Sequence, residues 1–182
     1  MQTFLPGTVI PVDRCKEGDA SRILDGLFAG GGLMLSQIVS ICGMEAHCVQ
    51  NWVKRGFCPP PTGKRYDRAQ LCRLLTIQLL KDCLSLPDIV RLLSYVNGDL
   101  AAREDDIIPD DTLYLMLVEM ICRTDTPEGI QPEEAAREIV GHFDSPIPDA
   151  AERIRKVLVI MTCAYRASLL RREAEDMMTT IS

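Results

Sequence analysis

The chain has 182 residues, of which 47% are hydrophobic, and a formal net charge of -6 at pH 7. Disordered proteins combine low hydrophobicity with high net charge, so this composition indicates a folded protein with one or two small cores. The sequence contains no uncharged apolar run of about 18 residues and no basic start followed by a short apolar run. We therefore expect a cytoplasmic protein with no membrane span and no export signal.

The charge is distributed unevenly along the chain. Residues 33–98 contain eight bases and four acids, whereas residues 99–182 contain nine bases and 18 acids. The negative total therefore hides a basic segment, which suits an anionic partner such as nucleic acid. We predict three parts: an N-terminal arm with a short helix (1–32), a basic module (33–98) and an acidic, all-helical module (99–182).

The N-terminal part has few structural signals. Residues 1–18 contain two prolines and scattered charges, which predict an irregular arm. Apolar residues at helical spacing predict a short helix over 20–28. The three glycines at 30–32 end that helix. They do not form a phosphate loop, because the following Lys-Ser/Thr and a preceding strand are missing.

Two short helices are predicted next, over 35–42 and 45–55, with Gly43 in the tight turn between them. The second helix has an apolar stripe that includes Trp52, which we expect in the core. A second stripe on this helix is polar and consists of His47, Gln50, Asn51 and Lys54.

A small β-wing is predicted over 57–66, because three prolines stop the helix and Gly63 permits a sharp reversal. A third helix follows over 67–82 with Asp67 as its N-cap. A fourth begins at Ser85, another capping residue. Outside the wing, no alternating run predicts a strand.

An acidic connection over 97–108 separates the modules, and three helices follow it. They are predicted from Asp110 or Asp111 to about residue 120, from Pro132 to near Gly141, and over 148–178. The last one carries an apolar stripe from Ile154 to Leu169, which we interpret as the surface of a homodimer.

Cysteine and acidic residues offer weaker candidates for chemistry. The eight cysteines form no CxxC pair and fall mostly in apolar patterns, which predicts reduced, largely buried thiols rather than metal ligands. Four aspartates at 105, 106, 110 and 111 lack the order of a calcium loop and indicate a solvated loop with a helix cap. No nucleophile elbow is present, so we expect no enzyme, cofactor or metal.

Four segments, in order, resemble the MerR superfamily of winged helix-turn-helix proteins. They are LSQIVSICGM, HCVQNWVKRGFCPP, GKRYDRAQL and LSLPDI. The segment VQNWVKRG also resembles the excisionase branch. The longer segment that continues through LLSYVNG to EDDIIPDDTLY is similar to an uncharacterised bacterial family with a MerR-like N-terminal half. The resemblance implies a mainly α protein, with a MerR-like winged helix-turn-helix joined to an all-α C-terminal module.

The resemblance also implies a DNA site. It places Gln50 and Asn51 where the family uses Arg and Tyr on its recognition helix, and Lys64 where the family has its wing arginine. The coiled-coil helix that follows the fourth helix in the family is missing here. We expect base reading by Gln50, Asn51 and His47. We expect phosphate binding by Lys54, Arg55, Lys64, Arg65, Tyr66, Arg68 and Arg73. For Tyr66, packing within the wing is the alternative role.

The sequence therefore predicts a transcriptional regulator that binds double-stranded DNA as a homodimer, with helix 45–55 in the major groove and wing 57–66 on the backbone. The C-terminal module would supply dimerisation or respond to an unknown effector. Two alternatives remain open. One is a cysteine-based metal, thiol or small-molecule sensor, and the other is a protein-interaction adaptor that has kept the winged-helix shape without DNA binding.

Overall fold

Helices dominate the computed structural model, which describes residues 3–12, 18–125, 129–141 and 143–181. Within these ranges the helices are α1 (Asp19–Phe28), α2 (Leu35–Cys42), α3 (Ala46–Lys54), α4 (Arg68–Leu80), α5 (Leu86–Asn97), α6 (Asp110–Thr124), α7 (Pro132–Val140) and α8 (Ala150–Met178). The strands have two residues each and are β1 (Thr3–Phe4), β2 (Pro11–Val12), β3 (Leu33–Met34) and β4 (Arg65–Tyr66). The prediction of a mainly α protein is confirmed. No described helix combines the length and apolarity needed to cross a membrane.

The N-terminal arm is more regular than predicted. Strands β1 and β2 pair in an antiparallel hairpin, so the expectation of strands only at the wing was wrong. Two-residue strands are too short to show an alternating pattern in the sequence. Leu5 is fully buried, and the Tyr114 hydroxyl donates a hydrogen bond of 2.8 Å to the carbonyl of Pro6. The arm is therefore fixed against α6.

Helix α4 lies in the middle of the molecule. Ten of its 13 residues are buried, and it packs extensively against α6. Asp67 caps the helix as predicted, with its carboxylate accepting a hydrogen bond of 2.9 Å from the Gln70 amide. Ser85 caps α5 in the same way, accepting from the Asp88 amide at 3.3 Å. The sequence predicted that α4 would bury one apolar face. In the structure, neighbouring helices cover nearly all sides of α4.

A single hydrophobic core extends across the boundary predicted at residue 98. Helix α8 packs against α5, α6 and α7, with a smaller contact to α4. Ile154, Leu158 and Met161 are fully buried in this core. The Ile154–Met161 part of the stripe predicted as a dimer surface is therefore covered by the chain's own helices and cannot face a second copy.

Candidate nucleic-acid interface

The turn between α2 and α3 is built on a glycine. Gly43 has a φ of 64° and donates its amide to the Val39 carbonyl at 2.9 Å, ending α2 in a left-handed conformation. A Cβ at this position would lie 2.7 Å from Cγ1 of Val9. Substitution would therefore strain the backbone and displace the N-terminal hairpin. The turn leaves α3 anchored by Val49 and Trp52, both buried, so the core role predicted for Trp52 is confirmed.

The polar stripe of α3 faces away from the core. His47, Gln50, Asn51 and Lys54 are all exposed. The imidazole of His47 lies 3.5 Å from the Cys48 thiol, and the side chains of the other three have no hydrogen-bond partner among the described residues. Their amide and ammonium groups are thus available to a ligand.

A tight β-hairpin follows α3 in the chain. The backbone amides of Thr62 and Arg65 each donate to the other residue's carbonyl, at 3.1 and 3.0 Å. The two residues between them, Gly63 and Lys64, have φ values of 57° and 64°. Positive φ at both central positions is typical of the type I′ turn that closes two-residue hairpins. We call residues 62–65 the tip hairpin.

The tip hairpin is attached to the start of α2. Strand β4 pairs antiparallel with β3, with Leu33 opposite Tyr66 and Met34 opposite Arg65. The Arg65 guanidinium donates a further hydrogen bond of 2.7 Å to the carbonyl of Gly32. Since β3 leads directly into α2, the tip hairpin and the α2–α3 pair are held together by backbone pairing.

Four cations lie on α3 and the tip hairpin without an acidic partner. Lys54, Arg55, Lys64 and Arg65 are exposed, and none forms an ion pair with a described residue. The Arg55 guanidinium stacks over the Phe57 ring, 4.6 Å from its centroid, which orients the cation without neutralising it. The surface formed by α3 and the tip hairpin thus keeps its positive charge.

Three residues predicted to contact phosphate are placed elsewhere. Tyr66 is buried, and this burial raises the pKa of its hydroxyl. Arg68 turns toward α1 and α6, where it pairs with Asp25 and with Asp111 at 3.2 Å. Arg73 is fully buried. These assignments are corrected, because neither a buried side chain nor a cation already paired within the chain can neutralise a phosphate.

Arg73 instead holds the junction between α4 and the segment before α6. Its Nε donates to Asp110 Oδ1 at 2.6 Å, and its Nη1 donates to the Leu100 carbonyl at 3.0 Å. Asn97 approaches the same Asp110 oxygen at 3.5 Å. Sequence reasoning missed this pair. The available signal was the position of Arg73 between two apolar dipeptides, which places a cation inside a core.

The cysteines divide by burial. Cys42, Cys58 and Cys72 are buried as predicted, whereas Cys83 and Cys163 are exposed; Cys15 lies outside the described residues. Burial raises the pKa of the Cys42 and Cys58 thiols to about 12. Such thiols stay protonated and react slowly. Among the described residues, no three His, Cys, Asp or Glu side chains cluster as metal ligands.

The acidic connection before α6 is linked to the start of α4. Arg103 forms an ion pair of 2.9 Å with Asp67, the residue that follows β4. Asp105 accepts a hydrogen bond of 2.9 Å from the Asp99 amide. The Asp106 Oδ1 atom is buried and has no hydrogen-bond partner among the described residues. Burial, with the charge of Asp110 adding to it, raises the Asp106 pKa to about 6.

Replacing Asp106 by asparagine is expected to stabilise the protein above pH 6. The folded state holds the proton of Asp106 more tightly than the unfolded chain does, so ionisation of this group destabilises the fold as pH rises from about 4 to 6. Asparagine removes that charge, so the stability gain of the variant should grow across this range and level off above it. Urea unfolding of both proteins between pH 4 and 8 measures the difference. A constant difference at all pH values would contradict this assignment.

The surface formed by α3 and the tip hairpin lies within the part of the chain that matches a known protein family. Residues 32–117 match the model of a domain of unknown function, DUF1836. The matched segment includes α2, α3, the tip hairpin and both partners of the Arg73–Asp110 pair, and it crosses the boundary predicted at residue 98. No curated protein and no solved structure matches the chain. Residues 32–117 are therefore similar to a domain family whose description assigns no activity.

Proposed function

We propose that this protein is a sequence-specific DNA-binding transcriptional regulator, with α3 in the major groove and the tip hairpin on the phosphate backbone. One observation carries the proposal. The four cations of α3 and the tip hairpin are exposed and unpaired, whereas Arg68, Arg73 and Arg103 nearby are all paired with carboxylates. An unneutralised cationic surface suits a polyanion.

The polar stripe of α3 has the chemistry required to read bases. An α-helix fits the major groove, and the amides of Gln50 and Asn51 can each form two hydrogen bonds with an adenine edge. His47 lies on the same stripe, one helical turn before these residues. Since side chains in the core hold the other face of α3, the stripe can be presented without rearrangement of the helix.

The cations would set the register of the protein on the duplex. Contacts from lysine and arginine to phosphate oxygens position a protein on DNA but carry no sequence information. Lys54 and Arg55 lie at the end of α3, and Lys64 lies at the tip of the hairpin.

Replacing Lys64 by alanine is expected to weaken binding to every duplex by about fivefold to tenfold near 0.1 M salt. Removing one phosphate contact should also reduce the slope of log affinity against log salt by about 1. Fluorescence anisotropy with random and selected duplexes measures both quantities. Lys81→Ala is the matched control. It removes the same exposed charge at the other end of α4, about 20 Å along the helix from the tip hairpin.

Equal effects of the two substitutions would show that only net charge matters, and would remove the tip hairpin from the interface. Absence of binding to any duplex at low salt would contradict the proposal as a whole. In that case the same surface would be a docking site for an acidic protein partner. Selection of bound DNA from a random pool adds the test of sequence specificity.

A further inference from the structure

Helix α8 carries a second apolar stripe on the side opposite the core. Ile160 is 40% exposed, Leu170 is 67% exposed and Met177 is 65% exposed. Together with three small residues these side chains recur at alternating steps of three and four, the spacing of a coiled-coil seam. We call this second stripe the outward stripe. It consists of Ile160, Cys163, Ala167, Leu170, Ala174 and Met177, all exposed.

This stripe is distinct from the face that builds the core. At about 100° per residue, it lies roughly half a turn around the helix from Ile154, Leu158 and Met161. Within the described chain, the other helices cover the first face of α8 and leave the outward stripe exposed. Beyond Leu170 every described residue of α8 is exposed, so the stripe extends along a segment with little packing of its own.

We propose that the outward stripe of α8 binds a second copy of this chain in an antiparallel coiled coil, with the two-fold axis between residues 168 and 169. This inference does not depend on DNA binding, because neither α3 nor the tip hairpin takes part. A two-fold interface requires a surface that is complementary to itself. Charge and size along α8 meet that requirement.

Arg166 and Glu173 carry opposite charges and flank the stripe on the same side of α8. Both are exposed, and neither forms an ion pair with a described residue. In the antiparallel register, Arg166 of one copy lies beside Glu173 of the other, and symmetry forms this pair twice. A parallel pair would instead place Arg166 beside Arg171 of the second copy, which is repulsive.

The side chains of the stripe also match in this register. Ile160 faces Met177 of the second copy, and Ala167 faces Leu170. Cys163 faces Ala174, so two small residues meet and the helices can approach closely.

The ends of the two helices extend the contact. The turn after α8 would bring Ile181 of the second copy to the level of Lys156, beside a groove of about 600 Å³ between α5 and α8. That groove is lined by apolar side chains that include Leu92, Tyr95 and Ile160. Ile181 is 72% exposed in the single chain, and the groove would cover it in the dimer.

Sedimentation equilibrium of the full chain tests the interface. The wild type should be dimeric at tens of micromolar, and Leu170→Glu should raise the dissociation constant by at least about a hundredfold, since it places two carboxylates in the seam. Ile147→Glu is the matched control, because it changes an exposed apolar residue outside the stripe. An unchanged circular dichroism spectrum shows that Leu170→Glu still folds. A monomeric wild type, or a dimer insensitive to Leu170→Glu, would overturn the proposal.

Charge exchange tests the orientation. Arg166→Glu and Glu173→Arg should each weaken the dimer by about tenfold, because each brings like charges together twice. The double exchange should restore the wild-type dissociation constant. In a parallel dimer Arg166→Glu would instead strengthen association, because the new acid would lie beside Arg171.

Cross-linking tests the register directly, in a background that removes the cysteines outside α8 that are exposed, partly exposed or outside the described residues. The replacements are Cys15→Ser, Cys48→Ser, Cys83→Ser and Cys122→Ser. The two Cys163 residues of an antiparallel dimer are separated by about 16 Å along the axis, too far for a disulfide. Mild oxidation should therefore leave Cys163 unlinked, whereas Ala174→Cys should form a bond between Cys163 and the introduced thiol of the second copy. A Cys163–Cys163 bond, or no bond in the Ala174→Cys variant, would refute the register.

Discussion

Replacing Arg73 by methionine is expected to lower the free energy of unfolding by about 3–5 kcal/mol. The side chains of Arg73 and Asp110 are almost completely buried and lie 2.6 Å apart. Methionine keeps most of the apolar stem but leaves the Asp110 carboxylate buried, with Asn97 as its one remaining side-chain donor among the described residues. Burial raises the Asp110 pKa and the guanidinium opposes that shift, so loss of the cation raises the pKa further. Urea unfolding at pH 7 measures the loss.

Two variants separate this explanation from a general loss of packing. Arg123→Met breaks ion pairs with Glu119 and Glu138 that are partly exposed, and should cost no more than about 1 kcal/mol. Arg73→Met combined with Asp110→Leu removes both charges, and should be more stable than Arg73→Met alone. If the double variant is no more stable than the single one, the orphaned carboxylate is not the cause.

The same pair shows why the partner of Arg73 was not predictable from local sequence. The apolar period of the sequence predicts a helix at α4, and an amphipathic helix places its charged residues on the face exposed to solvent. Arg73 is buried because α6 covers that face and brings Asp110, 37 residues away, into contact. A contact of this separation has no signature in helical periodicity. Arg68 was misassigned for the same reason, since its partners come from α1 and α6.

The long helix α8 shows the converse limitation. Its sequence contains two apolar stripes, and periodicity alone does not say which one the chain itself covers. The stripe from Ile154 to Leu169 is the more apolar, and hydrophobic burial within one chain carries no entropic cost of association. The chain therefore buries that stripe and leaves the outward one exposed.

Other parts of the structure were accessible from sequence because they depend on neighbouring residues. Asp67 and Ser85 cap helices through side chains that reach amides three positions on. Gly43 marks the turn through its left-handed conformation. The exposure of Gln50 and Asn51 follows from their angular distance to Val49 and Trp52 on one helix. Tyr66 had two predicted roles, and its burial agrees with the packing role. Helical spacing could not decide between them, since the burial depends on pairing with β3.

Replacing both Gln50 and Asn51 by alanine is expected to abolish most of the sequence preference while leaving general DNA affinity nearly unchanged. A bidentate contact between an amide side chain and adenine contributes roughly 1–3 kcal/mol of discrimination, so each residue accounts for about fivefold to 150-fold. Neither substitution removes a charge, and the salt dependence of binding should therefore match that of the wild type. This result would be the reverse of that expected for Lys64→Ala, which lowers affinity for all duplexes alike.

The measurement compares affinity for a duplex selected from a random pool with affinity for a scrambled duplex of the same composition. Stability should not confound the comparison, because both side chains are exposed and alanine has a higher helix propensity than asparagine. Loss of the preference in the double variant, with non-specific binding intact, would assign base reading to the polar stripe of α3. Retention of the wild-type ratio would assign base reading to another surface and leave α3 with a role in positioning alone.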